Sequence, residues 1–365
     1  MIFLINASNL KAGGGIQVTQ SICGQLKSFP EHHFIVVLSA FIDDSYIDYK
    51  KNVEVYKYTI KNSFSTLLWG RDSFLDGLVC EKKVDAVLTV FGPSRWVPKV
   101  PHLSGFARAH LVLKDSPYIK SLGWQEKTIY KIWEWSFKKS SRIYYTENQY
   151  ISDMLHKVLG DVKVYTVTNY YNQIFDHPEL WSHRHKLGDF EGTTCLTVST
   201  CYPHKNFNII IDIIRYLRQA HRDFKIRFVL TFSENEMIVP EDVKDHIIFV
   251  GKVDVSECPN LYEQSDIMFM PSLLECFTAT YPEAMRMGKP IVTTDLEFAK
   301  GLCGDSACYY SAVDAISAAE ALYKVATEKD YAQQLVMNGK NQLRTYDNYN
   351  TRTEKLINIL EGIIV

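Results

Sequence analysis

The chain has 365 residues and a formal charge of −2, with 46% hydrophobic and 22% charged residues. This balance excludes a disordered, collagenous or coiled-coil chain, and at roughly 100–200 residues per domain the length predicts two domains. The halves differ in sign: residues 1–172 carry 21 Lys and Arg against 15 Asp and Glu, while residues 173–365 carry 19 against 27. A basic half beside an acidic one suits a protein that meets something anionic, although such a contrast also arises without function. The eight cysteines form no CxxC pair and none lies at zinc spacing from a histidine, so they read as buried thiols of a reducing compartment. Met1–Asn6 is too short and lacks the basic lead of a signal peptide, and no run of 18 apolar residues spans a membrane. The expected location is cytoplasmic, with peripheral contact at the inner face of the membrane left open.

In chain order, Ile2–Asn6 predicts a buried strand, followed by Gly13-Gly14-Gly15 and a helix with Val18, Ile22 and Leu26 on one face. Residues 34–39, 84–90, 142–146 and 162–168 continue as short apolar strands. Between residues 122 and 142, Trp124, Tyr130, Trp133, Trp135 and Phe137 alternate with Lys127, Lys131, Lys138, Lys139 and Arg142. Such a segment is either a helix lying in a membrane interface or one that packs on the core with a solvated lysine face. Polar residues 176–192, including His183 and His185, read as a linker, because histidines two positions apart do not share a helix face. Strands are then predicted at 194–199, 225–231, 246–250, 266–270 and 290–294, and Leu356, Ile359, Leu360 and Ile363 mark a final helix. Continuous apolar strands alternating with helices predict parallel sheets covered on both faces. The expected fold class is α/β, with two Rossmann-like doubly wound domains over residues 1–172 and 173–345 and a cleft between them. The helix 346–365 is expected to pack back on the first domain.

The most informative segment is residues 271–295, where a strand, a loop and a helix follow one another. Thr280-Tyr281-Pro282-Glu283 fits a capping box, with the helix beginning near Pro282 and ending at Gly288. Amides at that helix start suit a phosphate. Glu275 and Glu283 stand eight positions apart, amid Pro271, Ser272, Phe277, Ala284, Met285, Gly288 and Pro290. This pattern resembles the E-x7-E motif of retaining glycosyltransferases of family 4, the glycosyl transferases group 1, which have the GT-B fold. Cys276 and Thr278 stand where that family usually has glycine.

The resemblance implies roles for particular residues. Glu275 would lie by the donor sugar, and Glu283 would hold the ribose hydroxyls of the nucleotide. For Glu283, a capping-box carboxylate is the plainer reading, and the two roles are compatible. In Ser199–Asn206, Lys205 stands where the family's diphosphate-binding lysine stands, whereas Thr200 replaces the usual arginine. His204, or an arginine from elsewhere, is expected to supply that charge. Gly14 and Gly15 occupy the place of a glycine-rich loop near the diphosphate. Phe277, Thr278, Ala279 and Thr280 complete the donor loop, and Lys252 follows a strand where family backbones touch the base. Thr168-Asn169 and Phe175 resemble the stretch at the family's domain crossover. His110 falls after a predicted strand of the first half, where family members often place a functional histidine, although a lone histidine is as readily structural.

The implied activity is transfer of a hexosyl group, with retention, from a UDP- or GDP-linked sugar to a hydroxyl of a saccharide or lipid-linked saccharide. Surface polysaccharide assembly is the expected setting. No DxD motif falls in a fitting loop, so no metal or other cofactor is expected; nucleic acid is not an expected partner. A GT-B nucleotide-sugar epimerase, a phosphorylase, or a non-catalytic sugar-nucleotide-binding partner remain alternatives at this point.

Overall fold

The computed structural model describes residues 1–45, 47, 52–61 and 64–364. It divides into two compact units: Met1–Lys114 with Leu122–Asn169 and Asp347–Val365, and Asp115–Ser121 with Tyr170–Tyr346.

The first unit is built on strands β1 (Ile2–Ala7), β2 (His33–Leu38), β3 (Val53–Lys57), β4 (Ala86–Thr89), β5 (His102–Gly105), β6 (Ile143–Thr146) and β7 (Lys163–Thr166). They form one sheet in the order β3-β2-β1-β4-β5-β6-β7, every neighbouring pair parallel. The central strands are apolar on both faces because both are covered. Phe3, Ile5 and Ala7 pack in one cluster with Val18 and Ile22, while Leu4, Ile35 and Val87 pack in another with Leu75 and Leu78.

The second unit carries β8 (Thr193–Thr197), β9 (Ile226–Leu230), β10 (Ile247–Phe249), β11 (Ile267–Met270), β12 (Ile291–Thr294) and β13 (Ala307–Tyr310). Their order is β10-β9-β8-β11-β12-β13, again wholly parallel. The helix Ile209–Ala220 buries Ile209, Ile210, Ile213, Ile214 and Leu217 against this sheet.

Three strands depart from the sequence expectation, β3, β5 and β13; β5, His102-Leu103-Ser104-Gly105, is four residues long and mixes polar with apolar positions. β3 alternates Val53-Glu54-Val55-Tyr56-Lys57 at a sheet edge, so it lacks the continuous apolar run that marks its neighbours. β13 is a four-residue edge strand.

Both sheets reverse their strand order once, between β1 and β4 in the first and between β8 and β11 in the second. Loops leaving the carboxyl ends of such neighbours part in opposite directions and open a crevice, the usual place for a ligand in a doubly wound sheet.

The last helix, Tyr349–Gly362, belongs to the first unit and buries Leu356, Ile357 and Leu360 in its core. Asn348 caps it, its side chain accepting from the amides of Asn350 and Thr351 at 3.0 Å. Just before the cap, Asp347 Oδ2 accepts from the amide and hydroxyl of Thr168 at 2.9 and 3.0 Å. Arg352 is buried, donates to Asn169 and faces the carboxylate of Glu147. Burial pushes the Glu147 carboxyl up to about 7 despite that guanidinium.

The aromatic segment forms the helix Trp124–Ser140. Its inner side buries Ser136, Phe137 and Ser140 rather than the tryptophans. Trp124 is 75% exposed, and Ile129, Ile132 and Trp135 are also exposed.

Candidate functional site

Lys205 and Glu275 leave the two strands that flank the switch point of the second sheet. Lys205 ends a short helical turn, Pro203–Lys205, after β8, and Glu275 lies in the loop after β11. Their side chains meet as an ion pair that is about 10% exposed on either side (10% and 11%). Ser272 donates to the same Glu275 Oε1 at 2.7 Å. The backbone closes the two loops together, since the Leu273 amide donates to the His204 carbonyl at 2.8 Å.

A short exchanged segment supports this arrangement. Ser116, within Asp115–Ser121, donates to the Leu273 carbonyl at 2.6 Å, and the ring of Tyr118 lies edge-on to His204 at 5.8 Å. The Tyr202 ring stacks on the ring of His204 itself at 5.7 Å. Burial holds the His204 imidazole below its ordinary value, with Glu275 opposing and Lys205 adding to the shift. Burial thus disfavours the charged imidazolium, which makes His204 a poor source of the positive charge that Thr200 leaves out. Lys205 is the cation on this loop.

Glu283 sits on the helix Thr280–Arg286 that follows the Glu275 loop, and it is buried. The sequence reading of a capping box does not hold. The cap position is Ala279, in helical conformation and without a side-chain bond, and Thr280 lies inside the helix. Thr280 Oγ1 bonds instead to the Val198 carbonyl at 3.2 Å and to Thr278 Oγ1 at 3.0 Å. The Glu283 carboxylate turns to Tyr262, whose hydroxyl donates to Oε2 at 3.1 Å. Glu283 therefore makes no capping bond in this helix. Burial pushes its carboxyl up to about 7, with the Tyr262 bond opposing. Since Pro282 has no N–H, the amides of Ala279, Thr280 and Tyr281 are those that helix geometry leaves outside the helical ladder.

Around these groups, Phe277 lies with its ring 6.2 Å from that of Tyr346. Lys252 is exposed after β10, following Gly251 at φ +74°. Thus Lys205, Glu275, His204, Phe277, Thr278, Ala279, Thr280 and Glu283 all fall on the loops after the neighbouring strands β8 and β11 and on the short helix that follows, with Lys252 after the edge strand β10.

Gly14, Gly15 and His110 belong to the first unit. The helix Gly14–Gln25 begins directly at the glycine-rich loop after β1, with Gly13 at φ 78° and ψ −164°, a conformation that suits glycine alone. A Cβ on Gly15 would press on Leu10 at 3.3 Å, so packing accounts for that glycine, whereas Gly14 has open space. His110 lies in the helical turn Ala109–Val112, its ring 4.1 Å from Tyr130 and 5.1 Å from Trp133. Packing among aromatic rings is the environment of a structural histidine as much as of a catalytic one.

Ser272, Ser116 and Tyr262 hold Glu275, its loop and Glu283 in place, and sequence reasoning assigned none of them that task. Ser272 carried a signal as part of the motif. Ser116 and Tyr262 carried none, because each acts across a long separation in sequence.

The arrangement offers a buried lysine held by a carboxylate, backbone amides at a helix start, and a second carboxylate whose proton is loosely poised near neutrality. These groups suit a diphosphate next to a polyhydroxylated ring.

Comparison with known proteins agrees. Residues 182–342 match the family described as glycosyl transferases group 1. An uncharacterised glycosyltransferase of Haemophilus influenzae is 28% identical over 121 residues, covering 32% of this chain and 33% of that protein. The O-antigen chain mannosyltransferase RfbU of Salmonella typhimurium is 25% identical over 121 residues, covering 33% and 34%. The alignments thus span about a third of the length of these curated relatives. In structure, Anabaena HepE in complex with UDP and glucose superposes with a TM-score of 0.68 at 15% identity, over 99% of both chains. Two wholly parallel sheets with a single reversal in each, together with these likenesses, place the chain in the GT-B fold, and its residues 182–342 in the glycosyl transferases group 1 family.

Proposed function

We propose that the chain is a glycosyltransferase that moves a sugar from a nucleotide sugar to a hydroxyl of a saccharide or lipid-linked saccharide, with retention of configuration. The observation that carries this reading is the meeting of Lys205 with Glu275 at the switch point of the second sheet, with Glu283 on the next helix. The donor belongs to the second unit and the acceptor to the first. The UDP and glucose held by the Anabaena structure support a UDP-linked donor, and the O-antigen mannosyltransferase supports a role in bacterial surface polysaccharide assembly.

In this reading Glu283 accepts from the ribose hydroxyls. Lys205 and the amides of residues 279–281 take the negative charge that grows on the diphosphate as the bond from the anomeric carbon breaks. They do so without a divalent cation. The acceptor oxygen attacks the same face, and its proton passes to the departing phosphate oxygen. Glu275 keeps Lys205 in position and lies beside the sugar; because attack and departure share one face, no glycosyl-enzyme bond forms and Glu275 is not a covalent nucleophile.

The test is nucleoside diphosphate release from UDP- and GDP-sugars in the presence of EDTA, with lipid-linked saccharides as acceptors and the product anomer read by NMR. Transfer with retention is expected, and it should fall at least about 100-fold in both Glu275→Ala and Glu283→Ala. Full activity in both variants would overturn the proposal.

The exposed face of Trp124–Ser140 supports contact with an anionic membrane. Trp124, Lys131, Trp135 and Lys138 recur at helical spacing on one side, and the two tryptophans are exposed. Amphipathic rings flanked by lysines suit the headgroup layer. Sedimentation with phosphatidylglycerol vesicles is expected and should weaken about tenfold in the double variant Trp124→Ala, Trp135→Ala. Binding to phosphatidylcholine vesicles is expected to be negligible. Equal binding to both lipids would count against this face.

A further inference from the structure

The first unit contains a pocket of its own, about 190 Å³ in volume, lined among others by Asn9, Lys11, Pro93, Arg95, Arg108 and Trp133. Asn9 and Lys11 follow β1, and Pro93 and Arg95 follow β4. The pocket therefore occupies the switch point of the first sheet, where a doubly wound unit binds its ligand. Its volume is below the roughly 300–1,000 Å³ of a drug-sized site and suits a single sugar residue with one substituent.

Its chemistry is selective. Among the described residues that line it, three are cations and none is an acid. The Arg108 guanidinium lies 4.2 Å from the centroid of the Trp133 ring, which holds the planar group in one orientation. Arg95 has φ 63°, a left-handed conformation that is unfavourable for a residue with a side chain and clusters at functional sites. Two guanidinium groups lining one pocket supply the N–H donors that phosphate oxygens accept.

Asn9 adds a second requirement. Its Nδ2 donates to the Phe91 carbonyl at 2.8 Å, while its buried Oδ1 has no hydrogen-bond partner among the described residues. A phosphate oxygen cannot satisfy that acceptor, but a sugar hydroxyl can.

We propose that this pocket receives a phosphate ester and a neighbouring sugar hydroxyl, so that the acceptor is a phosphorylated or phosphate-linked saccharide. Taking the bound molecule as the acceptor rests on the transferase reading; the phosphate selectivity of the pocket does not. Two sources share this chemistry: a soluble sugar phosphate, and a saccharide carried on a lipid phosphate.

The test is calorimetric titration of the full chain at saturating UDP, which occupies the phosphate site of the second unit. Glucose 6-phosphate, glucosyl farnesyl phosphate in detergent, and glucose are the probes. Saturable binding of either phosphate is expected, with glucose at least about tenfold weaker. The double variant Arg95→Gln, Arg108→Gln should weaken phosphate binding about 10- to 100-fold while leaving UDP affinity unchanged, which also reports that it is folded. Binding of glucose 6-phosphate points to a soluble acceptor, and binding of glucosyl farnesyl phosphate alone to a lipid-carried one. Failure of both phosphates, equal binding of glucose, or undiminished binding by the double variant overturns the inference. If the wild-type chain does not bind UDP, the donor reading fails instead, and the same titrations without UDP still decide the pocket.

Discussion

Replacing Lys205 with Ala is expected to lower the rate of glycosyl transfer about 10²–10³-fold, the usual consequence of removing one preorganised group from a developing anion. The lysine is 8% exposed and held by Glu275, so it acts in a place where water screens it little. Because charge on the diphosphate grows as the glycosidic bond breaks, the loss should appear in kcat more than in KM. The same variant leaves Glu275 buried without its cation, and a stability loss of about 3–5 kcal/mol is expected. Thermal melting separates the two effects. The double variant Lys205→Ala, Glu275→Gln should recover much of the stability and none of the activity. Recovery of activity as well would mean that the pair serves the fold alone.

Replacing Glu283 with Gln is expected to weaken UDP binding about 10- to 100-fold, because hydrogen bonds from ribose hydroxyls to a charged acceptor are worth about 1.5–3 kcal/mol. The pH dependence gives a sharper test. In the free protein burial raises the Glu283 carboxyl to about 7, so it holds a proton through the window from about 4.5 to 7. Ribose hydroxyls that donate to it favour the ionised form and lower its pKa in the complex. The complex then binds fewer protons than the free protein, and UDP affinity rises with pH through that window and levels off above 7. Below pH 7, binding should release up to one proton, read as a dependence of the calorimetric enthalpy on buffer ionisation. In Glu283→Gln this component of the release should be absent. A wild-type affinity independent of pH between 5 and 7 would remove Glu283 from the ribose.

The same linkage has the opposite consequence for the free fold. Between about 4.5 and 7 the folded chain retains a proton on Glu283 that the unfolded chain loses, so this group's contribution to stability falls as pH rises through the window. Glu147, also raised to about 7 by burial, adds to that trend in the first unit.

Much of the candidate site was legible because its chemistry is local. Glu275 and Glu283 stand in one unbroken segment, and strand, loop and helix follow in the only order a doubly wound unit allows. Lys205 was legible for the same reason, in the loop after a well-marked strand. The capping box was misread. A Thr-x-x-Glu pattern specifies a cap only if the chain is extended at the threonine, and here the Val198 carbonyl and Thr278 draw Thr280 into the helix. The Trp-rich helix was ambiguous because its apolar residues encircle it, and only packing decides which ones face inward. β3 was not legible because an edge strand with one solvated side loses the uniform apolar pattern.

The sequence by itself determined the α/β class, the succession of buried parallel strands, the loops that carry Lys205 and Glu275, and the final amphipathic helix. Period and apolarity are properties of neighbours in the chain, and they survive without a partner. The tertiary structure alone decided that residues 115–121 join the second unit, where Ser116 braces the Leu273 carbonyl. It alone decided that burial disfavours the charged form of His204, that Tyr262 holds Glu283, and that Lys11, Arg95 and Arg108 line one pocket. Each of these depends on which distant groups displace water from a side chain, and burial of that kind is not encoded at any single position.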